Sequence, residues 1–202
     1  MNHNSGLMIR LVIILIVPTL LSFQENEWRL DKDKNEIQVY TREVEGFPIR
    51  QFRASSQTSA PLEAIEQLFR EISDYPSWMP DVSGSQLLEQ PADNAYIYYL
   101  QIDSPFPVQD RDLVARMTFE YLSENVLRIT YENLPDHYPA QSRHTRITYF
   151  KGYWEFTRAE GQTIIQNQFL SDPGGSVPSW VVNSFMASNP YNTVLALKKQ
   201  IE

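Results

Sequence analysis

The chain contains no cysteine, and only three histidines and seven glycines among 202 residues. Without cysteine there can be no disulfide, no thiolate metal site, no thiol nucleophile and no thioether-linked lipid. Histidine is nearly as scarce where chemistry would need it. His137 and His144 both lie in the polar, proline-containing stretch 133–144, and neither a Gly-x-Ser-x-Gly nor a His-Glu-x-x-His spacing occurs. Asp136, His137 and His144 could be gathered around a metal, but a loop supplies no rigid outer shell for such ligands, and no metal or other cofactor is expected. The adjacent pair Gly174 and Gly175 lacks the lysine and spacing of a phosphate-binding loop and reads as a turn that starts a helix. Basic charge is short as well. With 17 Lys and Arg against 25 Asp and Glu, a formal net charge of −8, nucleic acid is removed from the expected partners.

Long hydrophobic runs are missing except at residues 11–21, preceded by Arg10 and followed by the small residue Ser22. That run is shorter than the ~20 residues of a comfortable membrane span. It is read as part of a signal peptide over residues 1–22, leaving 23–202 as one exported, periplasmic or secreted domain. An uncleaved anchor is the alternative, since Leu20 fits poorly three residues before a cut. An exported protein without cysteine suits a bacterial periplasm better than an animal extracellular fluid.

What is present is ample core material, 42% hydrophobic and 12% aromatic. Apolar alternation predicts strands at 28–30, 37–42, 49–58, 85–89, 95–102, 111–122, 126–133, 145–157 and 163–170, joined mostly by hairpin turns. Period two assigns faces. Tyr96, Tyr98, Leu100 and Ile102 share one side, as do Leu113, Ala115, Met117, Phe119 and Tyr121. Leu127, Ile129 and Tyr131 align on the next strand, and Phe150, Trp154 and Phe156 on the one after. A helix starts at Pro61 and places Leu62, Ile65, Leu68, Phe69 and Ile72 on one face, ending before Pro76. The aromatics of 75–80 are expected to plug the core.

A second helix follows the Pro173-Gly-Gly turn. Val181 with Phe185, and Val182 with Met186, stack four apart, and Val194, Leu197 and Ile201 resume the apolar stripe after Pro190. The ring of Pro190 should break or kink this helix just after Asn189. So broad an apolar face needs a partner surface. The fold class is therefore α+β, an antiparallel sheet curling around a long C-terminal helix.

Three segments carry a family resemblance: Pro107-Val-Gln-Asp-Arg111-Asp112-Leu-Val114, Gly152-Tyr-Trp154, and the stretch from Asp172-Pro-Gly-Gly through Trp180 to Asn183. Together they resemble the START (StAR-related lipid-transfer) family. The resemblance implies the helix-grip fold, with one elongated apolar tunnel between sheet and helix that holds one lipid. Its wall is expected to include Tyr98, Leu100, Met117, Phe119, Ile129, Tyr131, Trp154 and Phe169 from the sheet, and Val182, Phe185 and Met186 from the helix. Some family members carry an arginine where this chain has Met117, which suggests a soft, adaptable wall instead. Arg111 and Asp112 match the family's Arg-Asp pair. Being adjacent in a strand they point to opposite faces, and with Gly174 and Gly175 they are given structural roles. Residues 104–109 resemble the loop beside the tunnel mouth, and Phe106 and Pro190 are the expected gate.

The function that follows is non-catalytic: binding, and transport or sensing, of a hydrophobic small molecule such as a lipid, sterol or fatty acid. No catalytic residue is expected. The alternative is an enzyme on the same scaffold, a cyclase or hydrolase of an aromatic or polyketide-like substrate. The expected partners are the hydrophobic ligand and, transiently, a membrane, with the chain acting as a monomer.

Overall fold

The computed structural model describes residues 27–202 apart from Met186, and apart from the side chains of Ser179, Ser184 and Phe185. The expected signal segment 1–22 lies outside the described residues.

Three strands open the chain: β1 (Arg29–Lys34), β2 (Ile37–Val44) and β3 (Phe47–Thr58). Helix α1 (Leu62–Arg70) follows, then a single 3₁₀ turn (Ile72–Asp74) and the short α2 (Tyr75–Trp78). A meander comes next: β4 (Val82–Ala92), β5 (Ala95–Ile102), β6 (Arg111–Ser123) and β7 (Val126–Asn133). The chain then runs through β8 (Thr145–Arg146), β9 (Tyr149–Ala159), β10 (Gln162–Asp172), α3 (Ser179–Phe185) and α4 (Ser188–Ile201). The sheet order is β1-β2-β3-β10-β9-β7-β6-β5-β4, antiparallel throughout this path. The antiparallel sheet with its C-terminal helices is the expected α+β, helix-grip arrangement.

Period-two alternation explains the inner face. Tyr96, Tyr98, Leu100, Leu113, Ala115, Met117, Phe119, Leu127, Ile129, Tyr131, Trp154 and Phe156 all enter one buried cluster. Tyr121 departs from the expected stripe, remaining 46% exposed near the hairpin end of β6. Helix α1 crosses this face, with Leu62, Ile65 and Phe69 buried. The ring of Phe69 lies 5.5 Å from Trp154, 5.8 Å from Phe156 and 5.8 Å from Trp78. Tyr75 and Trp78 of α2 are buried in the same cluster, as expected for aromatics that plug the core. Helix α4 covers β2 and β3 through Tyr191, Val194 and Leu197. Full burial of one such side chain contributes about 1.5–3 kcal/mol, which is what holds these two helices onto the sheet.

Two further features differ from expectation. The predicted strand 145–157 is divided: β8 pairs in parallel with β6, Arg111 opposite Thr145 and Asp112 opposite Arg146, and only then does β9 begin. Pro190 does not break the terminal helix after Asn189. It sits in the first turn of α4, where its missing N–H has no intrahelical acceptor to serve, and it is buried.

Candidate ligand-binding interior

The eight sheet residues expected at the wall, Tyr98, Leu100, Met117, Phe119, Ile129, Tyr131, Trp154 and Phe169, lie in one contiguous cluster between sheet and helices. Val182 of α3 is half-buried. Met186, and the side chain of Phe185, lie outside the described residues.

The register explains how the largest rings meet. Gly152 stands opposite Tyr131 on one side and Phe169 on the other. A Cβ there would fall 2.2 Å from the Gln168 carbonyl and 2.4 Å from Phe169 Cδ1. Its absence lets the rings of Tyr131 and Phe169 approach to 5.3 Å across β9, with Phe150 stacked on Phe169 at 5.0 Å.

Packing is uneven along this interior. At the end where α1 begins, Leu62, Ile65, Leu127, Phe156 and Ile165 are fully sealed. At the opposite end, Phe52, Ile102, Phe150, Val182 and Ala187 are only half-buried. That less covered end, where α3 packs on β3, is the candidate mouth. Beside it, a cleft of about 710 Å³ opens between residues 43–50 and Asn183. Asn183 ties α3 to β3: its Oδ1 accepts from the Arg50 amide at 3.1 Å, and its Nδ2 donates to the Pro48 carbonyl at 3.4 Å. Asn183 closes the segment 172–183, and nothing in its sequence spacing points to the strand it meets.

Three tyrosines bring polarity inside. The Tyr75 hydroxyl donates to the Phe69 carbonyl at 2.6 Å and lies 3.6 Å from Met117 Sδ. Burial pushes the Tyr75 and Tyr98 hydroxyls above their ordinary pKa, and burial together with Tyr75 and Tyr98 does the same to Tyr131. All three are neutral at physiological pH, able to donate a hydrogen bond and unsuited to act as a base.

Arg111 and Asp112 diverge as adjacent strand residues must. The Arg111 guanidinium donates to the carbonyls of Gln109, Pro173 and Gly174, so it ties the start of β6 to the turn ahead of α3. Gly174 and Gly175 both have positive φ, +67° and +72°, as this turn requires. Asp112 is fully buried on the outer face of the sheet and takes a bidentate pair from Arg146, 2.9 Å to each oxygen. Arg146 also donates to the carbonyls of Pro135, Tyr138 and Pro139 and so clamps the 134–148 loop over β5 and β6. Beneath it lies a second buried cluster, Ile97, Tyr99 and Val114, with Leu134 and Tyr138 packed on it. Sequence reading missed this layer. Its signal is that six successive residues of β5, from Ala95 to Leu100, are buried, as in a strand covered on both faces.

The expected gate residues separate. Phe106 is 97% exposed on the loop between β5 and β6, and Trp180 at the start of α3 is 73% exposed. Phe106 projects from a connection and Trp180 from the first turn of α3. Pro190 is buried in α4. Asp136, His137 and His144 do not assemble; His137 instead pairs with Glu89 at 3.0 Å, and no group of three metal-type ligands occurs among the described residues.

The START domain family model matches residues 19–194, and the chain belongs to the START domain family. START domains bind hydrophobic ligands such as lipids. A STAR-related lipid transfer protein from Xanthomonas axonopodis superposes with a TM-score of 0.81 at 33% identity, over 86% of this chain and 98% of that one. An uncharacterised protein of Pseudomonas aeruginosa is 29% identical over 177 residues, 87% of each chain. A Streptomyces aromatase/cyclase shares the fold at a TM-score of 0.53 and 12% identity, over 75% of this chain and 93% of that one.

Proposed function

We propose that this chain is a non-catalytic carrier or sensor of a hydrophobic small molecule held between the sheet and the C-terminal helices. The observation that carries the proposal is the continuous apolar and aromatic inner face, sealed at one end and only half-buried at the mouth. Phe106 and Trp180, exposed at the mouth, supply apolar tips for transient contact with a lipid surface during loading. The cyclase reading has support from shared fold alone, and the buried tyrosines, held protonated, offer donors without a partner base. The carrier acts as a monomer after export, its residues 1–22 removed as a signal peptide. No helix among the described residues is long and apolar enough to cross a membrane.

Native mass spectrometry of the protein purified from its own host tests this. One co-purifying apolar molecule per chain is expected, along with a mature mass lacking residues 1–22. A protein that carries none, and takes up none from lipid vesicles after purification, overturns the carrier reading.

A further inference from the structure

The aromatic lining contains hydroxyls that the fold does not use. Tyr98 is 2% exposed and Tyr131 7%. Yet, among the described residues, neither hydroxyl meets a hydrogen-bond partner, whereas the neighbouring Tyr75 hydroxyl is satisfied by the Phe69 carbonyl. The three belong to one locality. The rings of Tyr75 and Tyr98 are edge-on at 6.2 Å, and Tyr131 is close enough for Tyr75 and Tyr98 to act on its ionisation. Trp78, edge-on to Tyr75 at 5.8 Å, adds a buried indole N–H that also lacks a partner. Unlike the Trp78 N–H, the Tyr98 and Tyr131 hydroxyls are not among the fully sealed unpartnered atoms, so each keeps a little accessible surface within the interior where a ligand atom could reach it. A core with no other demand on it would place phenylalanine at 98 and 131.

The surroundings define what would satisfy these groups. Two phenols and an indole can donate, and the phenols can also accept, so the complement is an oxygen. Among the described residues the buried charged side chains are Arg111 and Asp112. Arg111 is spent on backbone carbonyls at the mouth, and Asp112 is neutralised by Arg146 on the far side of the sheet. Arg50, part-buried on β3, is held by Asp31, Thr41 and the Asn183 carbonyl, and Arg70, over the Phe119 ring, is paired with Glu66, so the cations nearest the interior among the described residues are already engaged and a carboxylate or phosphate brought inside would have to compete for them.

We infer that Tyr98 and Tyr131 form a hydrogen-bonding node that selects a neutral apolar ligand carrying a hydroxyl or carbonyl oxygen, in preference to a hydrocarbon or an anionic lipid. This rests on the carrier reading and adds the chemical class of the cargo.

The test is partitioning of radiolabelled hexadecane, hexadecanol and palmitate from phosphatidylcholine vesicles into lipid-stripped protein at mildly alkaline pH, for the natural chain and for Y98F/Y131F. Loss of the node lowers hexadecanol uptake about tenfold per hydrogen bond removed and leaves hexadecane uptake unchanged. Palmitate, ionised, is taken up poorly by both proteins. An equal response of hexadecane and hexadecanol to the substitutions overturns the node while leaving the carrier reading in place, as does palmitate uptake matching hexadecanol in the natural chain. Uptake of none of the three overturns both. Thermal melts give an independent readout. Y98F and Y131F leave Tm unchanged or raise it, whereas Y75F lowers it. A fall in Tm for Y98F or Y131F as large as that for Y75F would mean that the hydroxyls already serve the fold, and would sink the proposal.

Discussion

Replacing Asp112 by alanine removes the carboxylate but leaves the Arg146 guanidinium in place under the outer loop. The pair is nearly dry: the Asp112 side chain is 1% exposed and that of Arg146 13%. Three backbone carbonyls still accept from Arg146 after the substitution, but carbonyl dipoles do not neutralise a full charge. Removing one partner of a buried pair typically costs about 3–5 kcal/mol. Set against a total stability of about 5–15 kcal/mol for a domain, that is a large fraction. Urea unfolding at neutral pH should show the midpoint of D112A falling accordingly. D112L/R146M, which removes both charges and keeps apolar volume, should recover most of the loss, because burying two charges was itself expensive. Since the pair lies on the sheet face opposite the interior, uptake of an apolar ligand per folded molecule should be unchanged. A loss below about 1 kcal/mol for D112A would place the pair with exposed surface bridges and refute the reasoning that the 134–148 loop shields it.

Stability should also fall in alkali. Tyr75, Tyr98 and Tyr131 keep their protons above the ordinary value of 10.0 in the folded chain, while the unfolded chain releases them near it. Stability present below that pH is therefore lost as pH rises, by about 1.4 kcal/mol per pH unit for each tyrosine. Urea midpoints across this range should drop less steeply for Y98F/Y131F, and an identical slope would contradict the burial of the hydroxyls. G152A should destabilise by about 1–3 kcal/mol or more, because the added methyl meets the Gln168 backbone and the Phe169 ring; a neutral result in urea melts would mean that the rings do not close over β9. F106S and W180S should leave stability within about 0.5 kcal/mol and slow vesicle-to-vesicle transfer of a fluorescent lipid. Unchanged transfer would remove the two tips from the membrane contact.

Alternation made the inner face legible where one apolar parity is clear, as in β7 with Leu127, Ile129 and Tyr131 against Arg128, Thr130 and Glu132, and the positive-φ turn at Glu160-Gly161 leads into an unbroken β9–β10 register. What parity cannot show is a second covering layer. Ile97, Tyr99 and Val114 occupy the nominally outward parity, and their cover is a loop whose hold depends on Arg146 finding Asp112, 34 residues earlier. The same contact explains why 145–157 is not one strand: Thr145 and Arg146 are recruited to β6 before β9 begins. Pro190 misled because proline is equally at home in a helix's first turn, and the start of α4 at Ser188 carries no side-chain cap to announce it. Within the interior, alternation placed Tyr98 and Tyr131 on the right face. It could not show that their hydroxyls go unmatched while that of Tyr75 does not, because that depends on a carbonyl exposed where α1 ends.

The strand order has a consequence for how the protein is made. Among the described residues, β1, β2 and β3 join the rest of the sheet only through β10, where Phe52 faces Phe169 and Thr58 faces Thr163. During synthesis the first third of the chain therefore emerges with its edge unmatched and waits for the last strand, and only afterwards can α4 close over β2 and β3. Such long-range pairing is slow to form, since the entropy of bringing distant segments together is lost before their contacts repay it. A chain of this design can complete its sheet only when nearly all of it has been made.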